Sequence, residues 1–156
     1  MSMIAIVRIA GQQGLNYKLK TTFKLLNLYK KNSCVVVPNT KVFTGMIRIV
    51  KDKVTWGEVD KKTLSLLLEK RGKVVGNRPL TKEYIKNEMK LDFDKFVDEL
   101  YDHKIKIKDV PGLKPFFRLL PPLKGFERKG TKKPFSMGGA LGYRKEKIND
   151  LVQRML

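Results

Sequence analysis

The chain has 156 residues, with 34 Lys and Arg against 15 Asp and Glu, and a formal net charge of +19. That length suits one domain, or a small core with an extension. Hydrophobic residues make up 42%, among them 8 Phe, 5 Tyr and 1 Trp, which is enough for a core that a disordered basic tail could not build. Uncharged runs such as 9–17 and 32–40 reach only about half a membrane span. The N-terminus lacks the positive segment of a secretory signal. A lone Cys34 excludes an internal disulfide framework, and one cysteine with one histidine, His103, leaves too few ligands for a common zinc site. The expectation is a soluble, intracellular, strongly basic globular protein.

The charge is uneven. Residues 1–60 carry +7, residues 61–110 carry +4 and residues 111–156 carry +8. The middle is highly charged but nearly balanced, as a solvated helical surface is. A net charge this large repels itself in a compact state unless a polyanion neutralises it. Phosphate neutralisation releases counterions and drives binding, so RNA or DNA is the expected partner. A lysine-rich surface kept for heat stability usually gains Glu in step with Lys, and here Glu does not keep pace.

Taken in chain order, Met3–Ile9 is an apolar run that predicts a short buried strand. Gly11–Gly14 supplies a turn. Lys18–Lys31 predicts a helix with Leu19, Phe23, Leu26 and Tyr29 on its inner face and lysines outside. Ser33–Val37 is β-branched and ended by Pro38, hence a second strand. Asn39 or Thr40 caps a helix whose stripe is Val42, Met46 and Ile49, weakened by Gly45. Lys53–Trp56 predicts a third strand. The order β-α-β-α-β within 60 residues indicates an α+β core of ferredoxin-like type.

Three helices follow. Asp60 caps one with Leu64, Leu67 and Leu68 inside, stopped by Gly72 in the left-handed conformation usual after a helix. Thr81 caps one reaching Met89, with Tyr84 and Ile85 inward. Asp92 caps one with Phe93, Phe96, Val97 and Leu100 on one face. Lys104–Val110 alternates and predicts an extended edge strand. From Pro111 to Gly142 the chain becomes a basic, aromatic loop broken by Pro and Gly. Loops this long are functional or disordered, and its apolar residues argue against disorder. A last helix from about Arg144 carries Ile148, Leu151, Val152 and Met155 at helical spacing.

Catalytic chemistry finds little support. His103 has no evident nucleophile beside it. Gly138–Lys145 lacks the spacing of a phosphate loop and follows no strand. Acid pairs such as Asp92 and Asp94 sit among balancing lysines. Nucleic-acid contact is better supported. Lys114, Arg118, Lys124, Arg128, Lys129, Lys132 and Lys133 interleave with Phe116, Phe117 and Phe126. Cations pair with phosphates, and aromatics stack on unpaired bases. The same apolar residues would also pin the loop to the core. Arg8, Lys18 and Lys20 cluster near the first turn and could grip a backbone, or form an ordinary solvated face.

Two blocks resemble a known family. The first runs through Ile4–Asp60 with V-R-I-A-G, N-S-C-V-V-V-P-N-T, G-M-I-R-I-V and V-T-W-G-E-V-D. The second holds G-L-K-P-F-F-R-L-L-P-P-L-K-G-F, G-G-A-L-G-Y-R and I-N-D-L-V-Q-R-M. They are similar to the ribosomal protein L-thirty family of the large subunit in its long archaeal form, whose eukaryotic counterpart is L-seven. The resemblance implies a three-stranded antiparallel sheet in the βαβαβ core, a helical insertion and a basic C-terminal extension. It implies binding to large-subunit ribosomal RNA near the 5S RNA, with ribosomal proteins as neighbours. It implies no catalysis, no cofactor, no metal, no membrane and no required homo-oligomer. The short bacterial form ends near the third strand. The eukaryotic N-terminal arm has no counterpart here, which favours an archaeal source. Matched motifs also place Gly45, which would admit a close neighbour or serve core packing, together with Arg48 and Arg144 among candidate RNA contacts. The expected organisation is a core over 1–60, a mainly helical extension over 61–110, and the loop with its closing helix over 111–156, all in one domain. The basic loop is expected to tighten on assembly. A free-standing RNA regulator or chaperone is the alternative reading.

Overall fold

The computed structural model describes residues 2–156. The elements run β1 (Met3–Arg8), α1 (Tyr17–Leu25), β2 (Ser33–Pro38), α2 (Lys41–Val50), β3 (Val54–Glu58), α3 (Lys61–Arg71), α4 (Lys82–Met89), α5 (Phe93–Tyr101), β4 (Phe117–Arg118), β5 (Gly142–Tyr143) and α6 (Ile148–Met155). β1 is central. It pairs antiparallel with β2, Ala5 opposite Val36, and antiparallel with β3, Ile6 opposite Trp56.

The α+β class holds, but the expected three-stranded antiparallel sheet is a mixed five-stranded one ordered β4-β2-β1-β3-β5. β4 joins β2 antiparallel and β5 joins β3 parallel. Each added strand is two residues long and lies in the Pro- and Gly-rich loop, so no alternating pattern announces it. Together they cover both edges of the inner strands, which would otherwise present unpaired backbone groups.

All six residues of β1 are buried. Ile4 and Ile6 pack with Val35 and Val37 against Phe23 and Leu26 on one face, joined by Ile47 and Val50 of α2. Met3, Ala5 and Val7 pack with Cys34 and Val36 on the other face, against Leu64 and Leu68 of α3, Phe96 of α5, and Leu151 and Val152 of α6. Burial pushes the Cys34 thiol up to about 12, so it stays protonated as a small core group.

Several helical expectations are met. Thr81 accepts a hydrogen bond from the Tyr84 amide at 3.2 Å, and Thr40 caps α2 through the Phe43 amide at 3.5 Å. Phe93, Phe96, Val97 and Leu100 are all buried along α5, as are the four apolar residues assigned to the closing helix.

Others are corrected. α1 ends at Leu25 rather than Lys31, because Asn27 and Asn32 take left-handed backbones (φ 58° and 61°) that suit Asn better than most residues. Tyr29 therefore lies outside the helix and is exposed, while Leu28 is buried. On α2 the inner stripe is shifted by one residue. Ile47 and Val50 are buried with Phe43 and Met46 against them, whereas Val42 and Ile49 are 65% and 41% exposed. A Cβ on Gly45 would meet nothing within 4 Å, which removes core packing as its reason.

Gly72 follows α3 with φ −59°, not left-handed. It is needed for space, since a Cβ there would come within 2.3 Å of the Leu68 carbonyl oxygen. Residues 104–110 form no strand. Both sheet edges are already taken, and Ile107–Asp109 is a single 3-10 turn in which the Asp109 carboxylate accepts from the Lys106 amide at 2.9 Å. α6 begins at Ile148, four residues later than expected, after a 3-10 turn over Lys145–Lys147.

We propose that residues 1–60, 61–110 and 111–156 form one cooperative unit. The second face of the β2-β1-β3 trio is apolar, and everything that covers it comes from beyond residue 60 apart from Val59. A fragment ending at Asp60 is therefore expected to bind a hydrophobic dye and show no cooperative thermal transition by circular dichroism. The full chain unfolds in one step at the same wavelength.

Candidate nucleic-acid interface

Two of the arginines, Arg8 and Arg144, are buried and behave unlike the rest. Arg8 ends β1 and is 1% exposed. Its Nε donates to the Ala10 carbonyl at 2.9 Å, Nη1 to the Leu28 carbonyl at 2.7 Å and Nη2 to the Gly11 carbonyl at 2.9 Å. The guanidinium lies 4.0 Å from the centre of the Phe23 ring. Burial lowers its pKa from the ordinary value. Arg8 thus ties the first turn to the end of α1. Most of its donors are spent inside the protein, so Arg8 is a structural arginine at the floor of the hollow that Lys20 and Lys24 also line, rather than the free surface cation expected of an RNA contact.

Arg144 is likewise structural rather than a free RNA contact. It is 2% exposed and reaches three places at once. Nε donates to Thr55 Oγ1 at 2.7 Å, while Nη2 donates to Glu127 Oε2 and to the Ala140 carbonyl, both at 2.8 Å. Nη1 bonds the other Glu127 oxygen, making the bidentate pairing that Arg geometry favours. Phe135 sits 4.7 Å below the guanidinium. Burial raises the Glu127 pKa, but the hydrogen bond and charge of Arg144, helped by Arg154, outweigh it and hold the carboxyl below its ordinary value.

This pair fastens the long loop to the sheet. Further fastenings are the Leu120 amide to the Met155 carbonyl at 3.0 Å, the Leu123 amide to the Arg154 carbonyl at 2.9 Å, and the Ala140 amide to the Gly130 carbonyl at 3.1 Å. The glycines near its end serve close chain packing. A Cβ on Gly139 would lie 2.1 Å from the Lys133 carbonyl oxygen, so the segment crosses another strand of loop rather than cradling a phosphate.

The aromatics divide as well. Phe117 is fully buried and cannot stack on a base. Phe126 is half-buried against Ile9, Ala140 and Leu141. Phe116 is half-buried and meets Tyr29 edge to face, with ring centres 5.5 Å apart.

The other candidate cations point outward. Arg118, Lys124, Arg128, Lys129, Lys132 and Lys133 are exposed, and none of them forms an ion pair among the described residues. Lys18 and Lys20 are exposed on α1, and Arg48 is exposed on α2 between Val42 and Ile49. Lys20 also lines a shallow hollow of about 230 Å³ with Lys24 and Tyr29.

Lys114, Phe116 and Arg118 converge with residues that the sequence does not single out. With Arg71, Lys73 and Asn77 they line a cavity of about 250 Å³. Arg71 and Lys73 belong to the nearly neutral middle of the chain, and only the tertiary fold brings them beside the loop.

A sheet layered on both faces and a loop of exposed cations without acidic partners among the described residues define a strongly basic α+β protein. No described helix is long and apolar enough to cross a membrane. The family model described as Ribosomal protein L30p/L7e matches residues 4–54. The Large ribosomal subunit protein uL30 of Methanococcus maripaludis strain C5 is 49% identical over 152 residues, covering 97% of this chain and 98% of that one. The protein of the same name from Nanoarchaeum equitans is 46% identical over 156 residues, the full length of both chains. That of Methanopyrus kandleri is 43% identical over 147 residues, covering 94% and 99%.

The chain belongs to this family, whose members are structural, non-enzymatic proteins of the large ribosomal subunit. The match reaches well past residue 60, so the extension and its closing helix are shared with these relatives.

Removing the acid of the buried pair leaves Arg144 without its charge partner, with only Thr55, the Ala140 carbonyl and the Phe135 ring around it, a defect that costs about 3–5 kcal/mol. Glu127 keeps 20% side-chain exposure, which favours the low end. Glu127→Gln is expected to lose about 3 kcal/mol in urea unfolding at pH 7. Because the folded carboxyl titrates below its ordinary 4.5, that contribution is full above pH 4.5 and fades as pH falls below it. The gap between wild type and variant should therefore narrow in parallel titrations as pH is lowered through 4.5 and below.

Proposed function

We propose that the chain binds and stabilises folded ribosomal RNA of the large subunit, close to the 5S RNA, with ribosomal proteins as its neighbours. The observation that carries this is the group of exposed cations on the 118–133 loop, which have no acidic partner among the described residues. Like charges held close on an anchored loop repel one another, and phosphate oxygens relieve that repulsion while releasing counterions. Lys18, Lys20 and Arg48 extend the same chemistry onto the outer helices. The place beside the 5S RNA rests on the family resemblance alone. Binding uses charge and the shape of a folded RNA, with no chemical step.

Lys132→Ala with Lys133→Ala removes two exposed cations and no internal contact. The double variant is expected to keep the wild-type melting temperature. Its affinity for a large-subunit RNA fragment should fall, and the slope of log K against log salt should shrink by roughly 1.5–2. An unchanged slope would remove the loop from the interface. Sedimentation of salt-washed extracts tests the setting. Co-migration with the large subunit is expected, and exclusive recovery at the top of the gradient would favour a free-standing RNA binder.

A further inference from the structure

We propose that the cavity between the end of α3, the turn over residues 73–79 and β4 receives one unpaired nucleotide of RNA. The assignment rests on the RNA-binding reading above and adds a site and a ligand class to it.

The cavity's chemistry is one-sided. Arg71, Lys73, Lys114 and Arg118 line it with Asn77 and Phe116, and no carboxylate is among the lining residues. A solvated surface disperses like charges. Here four cations from two distant stretches of chain face one space, an arrangement that an anion stabilises and water alone does not.

The walls are also built. The Lys114 amide donates to the Lys73 carbonyl at 2.9 Å, the Val75 amide to the Gly112 carbonyl at 3.0 Å and the Val74 amide to the Arg78 carbonyl at 2.9 Å. Arg118 is held in register opposite Ser33. One end of Arg71 is tied to the Leu156 carbonyl, while its Nε has no partner within the protein. Gly112 has φ +72°, and a Cβ on it would lie 3.1–3.3 Å from Val74, Val75 and Tyr84, so the two walls meet with no slack. A site assembled before binding loses less entropy on ordering its ligand.

Two features distinguish a nucleotide from a bare phosphate. Phe116, fixed by its edge-to-face contact with Tyr29, offers an aromatic surface for a base. Asn77 offers both donors and an acceptor, the set that reads a base edge. The volume of about 250 Å³ is below the ~300–1,000 Å³ of whole small-molecule sites, which limits the occupant to part of a single residue of a strand, its base or its phosphate, with the remainder outside. A duplex keeps its bases stacked inside and cannot present one to a concave site, so the nucleotide must be unpaired.

The test uses the full chain with a uridine hexamer carrying one 4-thiouridine, an RNA duplex of equal phosphate count, and inorganic phosphate. Near-ultraviolet crosslinking is expected to map to the peptide holding residues 114–118. Phe116→Leu should weaken the hexamer roughly tenfold and leave the duplex within twofold. Lys114→Gln, a change at a half-exposed side chain, should lower crosslink yield without altering the melting temperature. This keeps the test valid if Phe116→Leu disturbs packing. Equal weakening of hexamer and duplex would reduce the cavity to a charge patch and overturn the assignment. Displacement of the hexamer by inorganic phosphate at equal concentration would overturn it too. If the wild type binds a large-subunit RNA fragment but crosslinks elsewhere, the cavity assignment alone falls. If it binds no RNA, the functional reading falls with it.

Discussion

The central strand has no solvent-facing side. All six residues of β1 are buried, so the sheet must be covered twice, and a βαβαβ unit brings helices to only one face. α1 and α2 occupy that face. The other is filled by α3, α5 and α6, all later in the chain than β3. The apolar surface of the first 60 residues thereby dictates the need for the extension, since exposed apolar area of this kind is the dominant cost of leaving a sheet half-covered. The same extension then sends β4 and β5 back to the two sheet edges, so the loop that carries the exposed cations is anchored to the structure it completes.

Two of the arginines hold that arrangement together. Arg8 and Arg144 each satisfy backbone carbonyls or a carboxylate from separate segments and lie against an aromatic ring. A planar fork with several donors suits this joining role better than a single ammonium. A charge inside an apolar strand is the signal that could have marked Arg8 as internal, because buried charges occur where they are paired. Arg144 follows a Gly-rich stretch and carries no such sign. Arg8 therefore adds one positive charge to the net +19 that lies inside the protein, whereas Arg144 is already cancelled in that sum by Glu127. The net charge also hides that Arg71 and Lys73, from the balanced middle, stand beside the loop's own cations.

What was legible follows from the range of the forces involved. Caps at Thr40 and Thr81 act over three residues, so the sequence shows them directly. The inner faces of α5 and α6 follow 3.6-residue spacing and need no partner to be recognised. The end of α1 was not legible, because it depends on two asparagines adopting left-handed backbones and on Arg8 drawing in residues 28 and 29. The stripe on α2 was misplaced by one residue because both sides of that helix carry apolar groups, and only contact with the sheet chooses between them.

By itself the sequence determined the basic character, the α+β core, the family motifs and the presence of an aromatic, cationic loop, since these depend on composition and short-range pattern. The tertiary structure alone decided which cations are free and which are internal, that Phe117 is core while Phe116 borders a cavity, and that the loop supplies both edge strands. Those outcomes depend on contacts outside the local pattern, from 20 positions apart for Arg8 and Leu28 to 89 for Thr55 and Arg144, where desolvation and hydrogen-bond geometry, rather than local preference, select the partner.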